Sequence, residues 1–189
     1  MDDAPTEIER GITEAIQAAV DGNKDGDRTN DQMTRDIMRR LKNLGQSFNG
    51  PKLDVVERWL YDLSWSRMSA PPKAGYLLEL VLAVECEWTI DLKPVITNME
   101  TVPPLNGDFQ KLIQSRARHR LWIFGDTHRG RKFPDEQQVS KYIDGCVQQI
   151  ERFGGTQAGD RYLLAGMYAN RTKCVVRPYV VPPRGVQAK

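Results

Sequence analysis

Two stretches decide the architecture: WLYDLSWS at residues 59–66 and YLLELVLAVECEW at residues 76–88. In the first, Trp59, Tyr61, Leu63 and Trp65 alternate with Leu60, Asp62, Ser64 and Ser66, the period of a strand with one apolar and one mainly polar face. In the second, Leu78, Leu80, Leu82, Val84, Cys86 and Trp88 share one face, and Glu79, Val81, Ala83, Glu85 and Glu87 the other. The turn cluster Ser69-Ala70-Pro71-Pro72-Lys73-Ala74-Gly75 lies between them. A turn centred between Lys73 and Ala74 makes the two a hairpin. It sets Leu63 against Val84, Ser64 against Ala83, Trp65 against Leu82, Tyr61 against Cys86, Trp59 against Trp88, and Asp62 against Glu85. A slip by one residue would scramble both faces. A slip by two would keep the faces and set Asp62 against Glu87 or Ala83, so the faces are better specified than the register.

This hairpin gathers Asp62, Glu85 and Glu87 on one face of two neighbouring strands. Like charges opposite each other destabilise a sheet. A hard divalent cation held by oxygen ligands would offset the repulsion. A solvent-facing outer surface would tolerate it equally well, and the alternation alone leaves both readings open. Lys111 follows Asp108 by three residues at the start of the next helical pattern. That spacing can bring an ammonium beside the acids, where it would orient a water or stabilise charge on a phosphate; a solvated surface lysine is the plain reading of the residue taken alone.

Working outward, Ile8, Ile12, Ile16 and Val20 predict an amphipathic helix over residues 6–20. A polar loop, Asp21 to Thr29, leads to a second helix over residues 31–44, with Met33, Ile37, Met38, Leu41 and Leu44 as its apolar side and Gly45 as its end. Asn49-Gly50-Pro51 is a break. After the hairpin, residues 91–105 read as a Pro-containing loop. A helix starts near Asn106-Gly107-Asp108, and Leu121-Trp122-Ile123-Phe124 is a short buried strand. Residues 127–132 form a basic loop, and Pro134 to Phe153 form a helix stopped by Gly154-Gly155. Strands at 161–168 and 173–181 pair through Ala169-Asn170-Arg171-Thr172, and a loose tail follows Pro182. No internal repeat is present.

The chain has 189 residues, 40% of them hydrophobic and 28% charged, which suits one globular domain and excludes wholesale disorder. No apolar run approaches a membrane span, so no membrane partner is expected. The start, Met1-Asp2-Asp3-Ala4-Pro5, is acidic where a secretory signal is basic and then apolar, so a cytoplasmic protein is expected. Net charge is +2, from 27 Lys/Arg against 25 Asp/Glu, which permits a local nucleic-acid patch without demanding one. The densest basic region is Arg116, Arg118, Arg120, Arg129, Arg131 and Lys132, with His119 and His128 among them. It suits either a phosphate-gripping surface or a solvated rim. Cys86, Cys146 and Cys174 contain no CxxC pair and read as buried free thiols. Trp59, Trp65, Trp88 and Trp122 all fall on strands and read as core.

Asp21-Gly22-Asn23-Lys24-Asp25-Gly26-Asp27 matches the first half of a calcium-binding loop, with oxygen ligands at places one, three and five and Gly at six. Arg28 stands where an apolar residue is usual and Gln32 where a bidentate Glu is needed, so a flexible polar loop is the better reading.

The runs Trp59-Leu60-Tyr61-Asp62, Ala83-Val84-Glu85-Cys86-Glu87-Trp88, Asp108-Phe109-Gln110-Lys111-Leu112 and Arg120-Leu121-Trp122-Ile123-Phe124 together resemble the PD-(D/E)xK, restriction-endonuclease-like nuclease superfamily. The resemblance covers residues 30–125, with an N-terminal helix and polar loop over 1–29 and a helix plus strand pair over 126–189 completing a single domain. It implies an α/β fold with a central mixed sheet flanked by helices and carrying the acids on an antiparallel hairpin. It further implies hydrolysis of phosphodiester bonds in DNA with Mg²⁺ or Mn²⁺. Asp62 and Glu85 then hold the metal, Lys111 stabilises charge as a lysine migrated into the next helix, and Glu87 is a further ligand or base. The chain departs from the pattern in two places: Glu87 stands in the lysine position, and no Pro precedes Asp62. Glu57 is a further upstream acid that reads as surface. Cutting both strands would favour a homodimer. The rival of another class is an inactive relative that keeps the fold as a DNA-binding or protein-interaction module; a calcium-responsive protein is the second rival.

Overall fold

The computed structural model describes residues 4–48, 53–57, 60–69, 75–90, 95–97, 100–102, 107–125 and 134–183. Trp59, the breaks at 49–51 and 70–74, the basic loop with His128, Arg129, Arg131 and Lys132, and the tail after residue 183 lie outside the described residues. The elements run α1 (Glu7–Asp21), α2 (Asn30–Ser47), β1 (Leu53–Glu57), β2 (Leu63–Met68), β3 (Leu77–Glu87), β4 (Val95–Thr97), β5 (Glu100–Val102), α3 (Gly107–Gln114), β6 (His119–Gly125), α4 (Glu136–Arg152), β7 (Arg161–Tyr168) and β8 (Lys173–Val180). Six strands form one mixed sheet in the order β1-β2-β3-β6-β7-β8, and β4 pairs only with β5. The pairs β3–β6 and β6–β7 are parallel and the rest antiparallel. None of the described helices is long and apolar enough to cross a membrane.

Helices cover both faces of this sheet. On one side Ile12, Ile16 and Val20 of α1 and Met33, Ile37 and Leu41 of α2 pack on Leu82, Val84, Leu121, Ile123, Leu163 and Ala165. On the other, Phe109, Leu112 and Ile113 of α3 and Val139, Tyr142, Ile143, Cys146 and Ile150 of α4 pack on Ala83, Trp122, Phe124, Tyr162 and Leu164. The alternation of residue numbers along each strand sorts its side chains between the two layers. β6 is buried along its whole length and β3 over its middle, as central parallel strands covered on both faces should be. The solvent-facing reading therefore does not apply at Glu85: from Val81 to Glu85 every residue of β3 is buried, on the supposedly polar side as well, whereas Asp62 and Glu87 are half-buried.

The helix ends follow from capping chemistry. Thr6, Thr29 and Asp135 each accept from the backbone N–H three residues on, and Glu9, Gln32 and Gln138 reach back to the cap. The second helix does not end at Gly45. It runs on to Ser47, and Gly45 is buried where a Cβ would stand 2.7 Å from the Trp65 ring. That glycine is a packing contact and not a stop signal. Gly166 in β7 is tighter still, since a Cβ there would meet Val139 Cγ1 at 2.3 Å and Phe124 Cζ at 2.7 Å. Gly166→Ala is therefore expected to cost about 1–3 kcal/mol, read as a lower urea midpoint with unchanged slope; an unshifted midpoint would show that α4 can move away freely.

Hairpin register also follows the expectation over three pairs: Leu63↔Val84, Ser64↔Ala83 and Trp65↔Leu82. Beyond Trp65 a bulge shifts it, setting Ser66 against Leu80. Before Leu63 the chain bends at residues 60–62 and leaves the strand. Tyr61 consequently leaves the face of Leu63 and Trp65 and joins the α3 side of the core. Trp65, Trp88 and Trp122 are core residues, as their strand positions predict, whereas of the three free thiols only Cys146 is fully buried.

The polar loop between α1 and α2 is ordered by a tertiary contact. Asn23 is buried; its amide donates to the carbonyls of Asn170 and Arg171, and its Oδ1 accepts from the Arg28 N–H at 3.0 Å. The partner turn holds Ala169, Asn170 and Arg171 at φ of 47°, 55° and 63°, and Asn170 donates to the carbonyl of Gly26. The loop is thus a clasp on the β7–β8 turn, and the side chain at its third place is committed to that clasp.

Candidate active site

The bend that ends β2 early also presents Asp62. Its Oδ2 accepts from the backbone N–H of Cys86 at 2.9 Å, which pins the carboxylate to β3. Glu85 stands beside it on β3, paired through the parallel ladder with Trp122, and is 3% exposed. Cys86 faces the opposite layer, with its thiol 3.9 Å from the Thr34 hydroxyl; Trp88 Nε1 donates to that hydroxyl at 2.6 Å. A threonine of α2 thus contacts the strand from behind while Glu85 faces α3.

The helix α3 completes the site. Phe109, Leu112 and Ile113 bury its apolar side and leave Lys111 at its edge. Lys111 Nζ lies 2.6 Å from Glu85 Oε1 and 3.3 Å from Asp108 Oδ1, and 5.8 Å from the centre of the Tyr61 ring. The Glu85 side chain is nearly sealed, while Lys111 is 35% exposed. The lysine is therefore the lid of the carboxylate.

Burial is the largest influence on Glu85 and pushes its pKa up; Lys111 pulls it down, and the charges of Asp62 and Asp108 push it up again, leaving it at about 7. Asp62 is also raised, by burial first, against the Cys86 N–H, and by Asp108 and Glu87. Burial alone would lower Lys111, but Glu85 and Asp108 outweigh it and hold the ammonium charged. Four carboxylates and one ammonium thus share one field. Perturbed groups of this kind, set by burial and mutual charge, are characteristic of chemically active sites and also of structural ion-pair networks.

Each residue expected at the site has a definite place. Asp62, Glu85 and Lys111 come together. Glu87 is close enough to influence Asp62, but its Oε1 accepts from the Thr89 N–H at 2.7 Å and from the Thr89 hydroxyl, so that oxygen belongs to a local turn. Arg116 and Arg118 are exposed at the start of β6, and Arg118 lies 3.8 Å from Glu79. Arg120 is not with them. It is 2% exposed; its guanidinium donates to the Ser115 carbonyl at 2.8 and 3.2 Å, lies 3.4 Å from Asp160 and sits 4.9 Å from Tyr162 across its ring. The strand period accounts for the correction: even-numbered residues of β6 face the α3–α4 layer, so this arginine is a core residue unavailable to a phosphate. Glu57 falls within β1.

Two participants escape sequence reading. Asp108 belongs to the site through Lys111, its partner one helical turn on, and the Asp-x-x-Lys spacing was the available signal. Tyr61 enters only because the chain bends before Leu63, which strict alternation conceals. Among the described residues, no group of three or more His, Cys, Asp or Glu side chains stands close enough together to hold a metal ion. Compared with known proteins, the chain matches no family model, no curated protein and no solved structure.

Proposed function

We propose that this chain is a divalent-metal-dependent nuclease that hydrolyses phosphodiester bonds in DNA, built on a restriction-endonuclease-like core. The observation that carries the reading is the buried Glu85 carboxylate with Lys111 at 2.6 Å, beside an Asp62 anchored to the same strand. The order α2, β1-β2-β3, α3 and then β6 parallel to β3 also agrees with the helix, acidic hairpin, helix and strand of that core.

Mg²⁺ is commonly held by one or two carboxylates, with water and phosphate oxygens completing its shell, so Glu85 and Asp62 suit it by donor type without a full protein cage. Once bound, such an ion neutralises phosphate charge and lowers the pKa of a coordinated water. The chain's own contributions are positional. The Cys86 N–H holds Asp62 against β3. Burial keeps bulk water from Glu85. Lys111 presents a positive charge at the mouth, where a phosphate oxygen would sit. Glu87, engaged by Thr89, is the less apt partner for the attacking water, and Lys111 takes that role.

Cleavage of plasmid and single-stranded DNA with Mg²⁺ or Mn²⁺ tests the reading. Lys111→Ala is expected to lower the rate by about a hundredfold or more while leaving the far-ultraviolet circular dichroism unchanged. Metal-dependent cutting at equal rates by wild type and Lys111→Ala would remove Lys111 from the mechanism. A second reading, a non-catalytic module on the same fold, is favoured by one observation: three acids are not gathered into a cage among the described residues. Divalent-cation affinity separates the two, since a module has no need of it.

A further inference from the structure

The Lys111 ammonium occupies the Glu85 oxygen that a divalent cation would need. It sits 2.6 Å from Glu85 Oε1, and the Glu85 side chain is almost fully enclosed. A second carboxylate, Asp108, stands 3.3 Å from the same nitrogen, one turn earlier on the same helix and half exposed. Lys111 therefore has two anionic seats: an inner one on β3 and an outer one on α3.

We infer that Lys111 and a divalent cation compete for Glu85, so that the lysine gates the site and the cation enters only as the ammonium moves outward to Asp108 or to a bound phosphate. The inference rests on the metal-centre reading above and goes beyond it, because it assigns Lys111 a regulatory role in addition to charge stabilisation. The physical argument is one of exclusion. A buried carboxylate cannot hold an ammonium and a metal ion on one oxygen without close contact between two positive charges. The lysine stem is flexible, with a single charge that rotates freely, and Asp108 is near enough to receive it. The neighbouring Tyr61 ring, 5.8 Å from Nζ, offers the ammonium a negative ring face beside its present seat. The gate couples metal to substrate: a phosphate that draws Lys111 outward frees Glu85, so phosphodiester and cation favour each other's binding.

Mn²⁺ titration of the intact protein at pH 8, followed by electron paramagnetic resonance, tests the gate. Wild type, Lys111→Met, Lys111→Arg, Glu85→Gln and the double variant Lys111→Met with Glu85→Gln are compared. Losing the competitor should tighten Mn²⁺ binding in Lys111→Met by about fivefold or more, the worth of one partly exposed charged pair. Lys111→Arg, which keeps the competing charge, should remain within about twofold of wild type. Binding to Lys111→Met no tighter than to wild type, with Glu85→Gln abolishing it in both backgrounds, overturns the gate and leaves the metal centre standing. No Mn²⁺ binding by wild type or by Lys111→Met overturns the metal centre and the gate with it. A measurement on unsubstituted protein guards against a variant that fails to fold. In ¹³C-lysine-labelled wild type, the Lys111 Cε signal should shift on adding Mg²⁺ with the same midpoint as binding, and a stationary signal overturns the gate.

Discussion

On the nuclease reading proposed above, Glu85→Gln is expected to abolish metal-dependent DNA cleavage and, on any reading, to make the protein more resistant to urea at pH 8. The first effect follows from deleting the anionic ligand which that reading assigns to the centre of the site, and a loss of at least about a hundredfold is expected. The second follows from proton linkage. Glu85 has a folded pKa of about 7 against an ordinary 4.5, raised first by burial. Between those values the folded chain keeps a proton that the unfolded chain releases, so stability is highest below about pH 4.5 as far as this group is concerned and falls as pH rises through 7. Fully ionised, the carboxylate costs up to about 3 kcal/mol. Glutamine carries no charge to bury, so the variant should lose this pH dependence. Urea midpoints at pH 5.5 and pH 8 measure it: the two should differ for wild type and converge for the variant. A variant weaker than wild type at pH 8 would mean that the Lys111 attraction exceeds the burial cost.

The second large effect lies far from the site. Glu9 is 1% exposed, yet it is charged and fully engaged. Arg161 donates to both of its oxygens at 2.8 Å, the Thr6 N–H donates to Oε2 at 2.7 Å, and His119 Nδ1 lies 3.4 Å from Oε1. Burial works to raise its pKa, but His119, Arg161 and Thr6 together hold it well below the ordinary range. Glu9→Ala removes the capping box and takes from the largely enclosed Arg161 its carboxylate partner, leaving it the Ala4 carbonyl, and a loss of about 3–5 kcal/mol is expected. For a chain of this length that is a fall in Tm of roughly 6–20 °C. The pH signature runs opposite to that of Glu85. A depressed carboxylate contributes stability above its unfolded value, near 4.5, and loses it as pH falls towards the folded one. Glu9→Gln should therefore flatten the acid limb of the stability curve below pH 4.5. A Glu9→Ala protein that melts within 2 °C of wild type would show that the network is ornamental.

These two carboxylates also mark what a sequence can disclose. Glu85 was visible because strict alternation on two strands, joined by a Pro-Gly turn cluster, constrains which residues share a face. The same logic located Trp65 opposite Leu82 and failed one step beyond, where the bulge at Ser66 and the bend at residues 60–62 add local departures that alternation cannot encode. Glu9 was invisible as a site of interest: its partner lies 152 residues away, and in the sequence it is only one of the acids on the first helix. Arg120 misled for a similar reason. It stands among arginines in the chain, but strand period turns it inward while Arg116 and Arg118 stay outside. The five residues of β1 and the three each of β4 and β5 are too short to show a period, so the stretch 91–105, read as a loop, carries β4 and β5, and β1 falls where the sequence suggested no element. The helices α1, α2 and α4 were the most legible, since each shows an apolar stripe and a capping box within its own sequence.

The clasp between the α1–α2 loop and the β7–β8 turn bears on how the chain is made. Asn23 is joined to Asn170 across 147 residues, and Glu9 to Arg161 across 152. Contacts of such span are slow to form, because loop-closure entropy is lost before they give anything back. During synthesis α1 emerges well before the strands β7 and β8 that fasten it. In the folded chain its apolar stripe shares one core with α2 and the sheet, so until the sheet is complete that core lacks one side. Helix α1 is therefore secured only once β7 and β8 have been made, and a ribosome-bound intermediate should present Ile12, Ile16, Met33 and Ile37 together as a surface for chaperones.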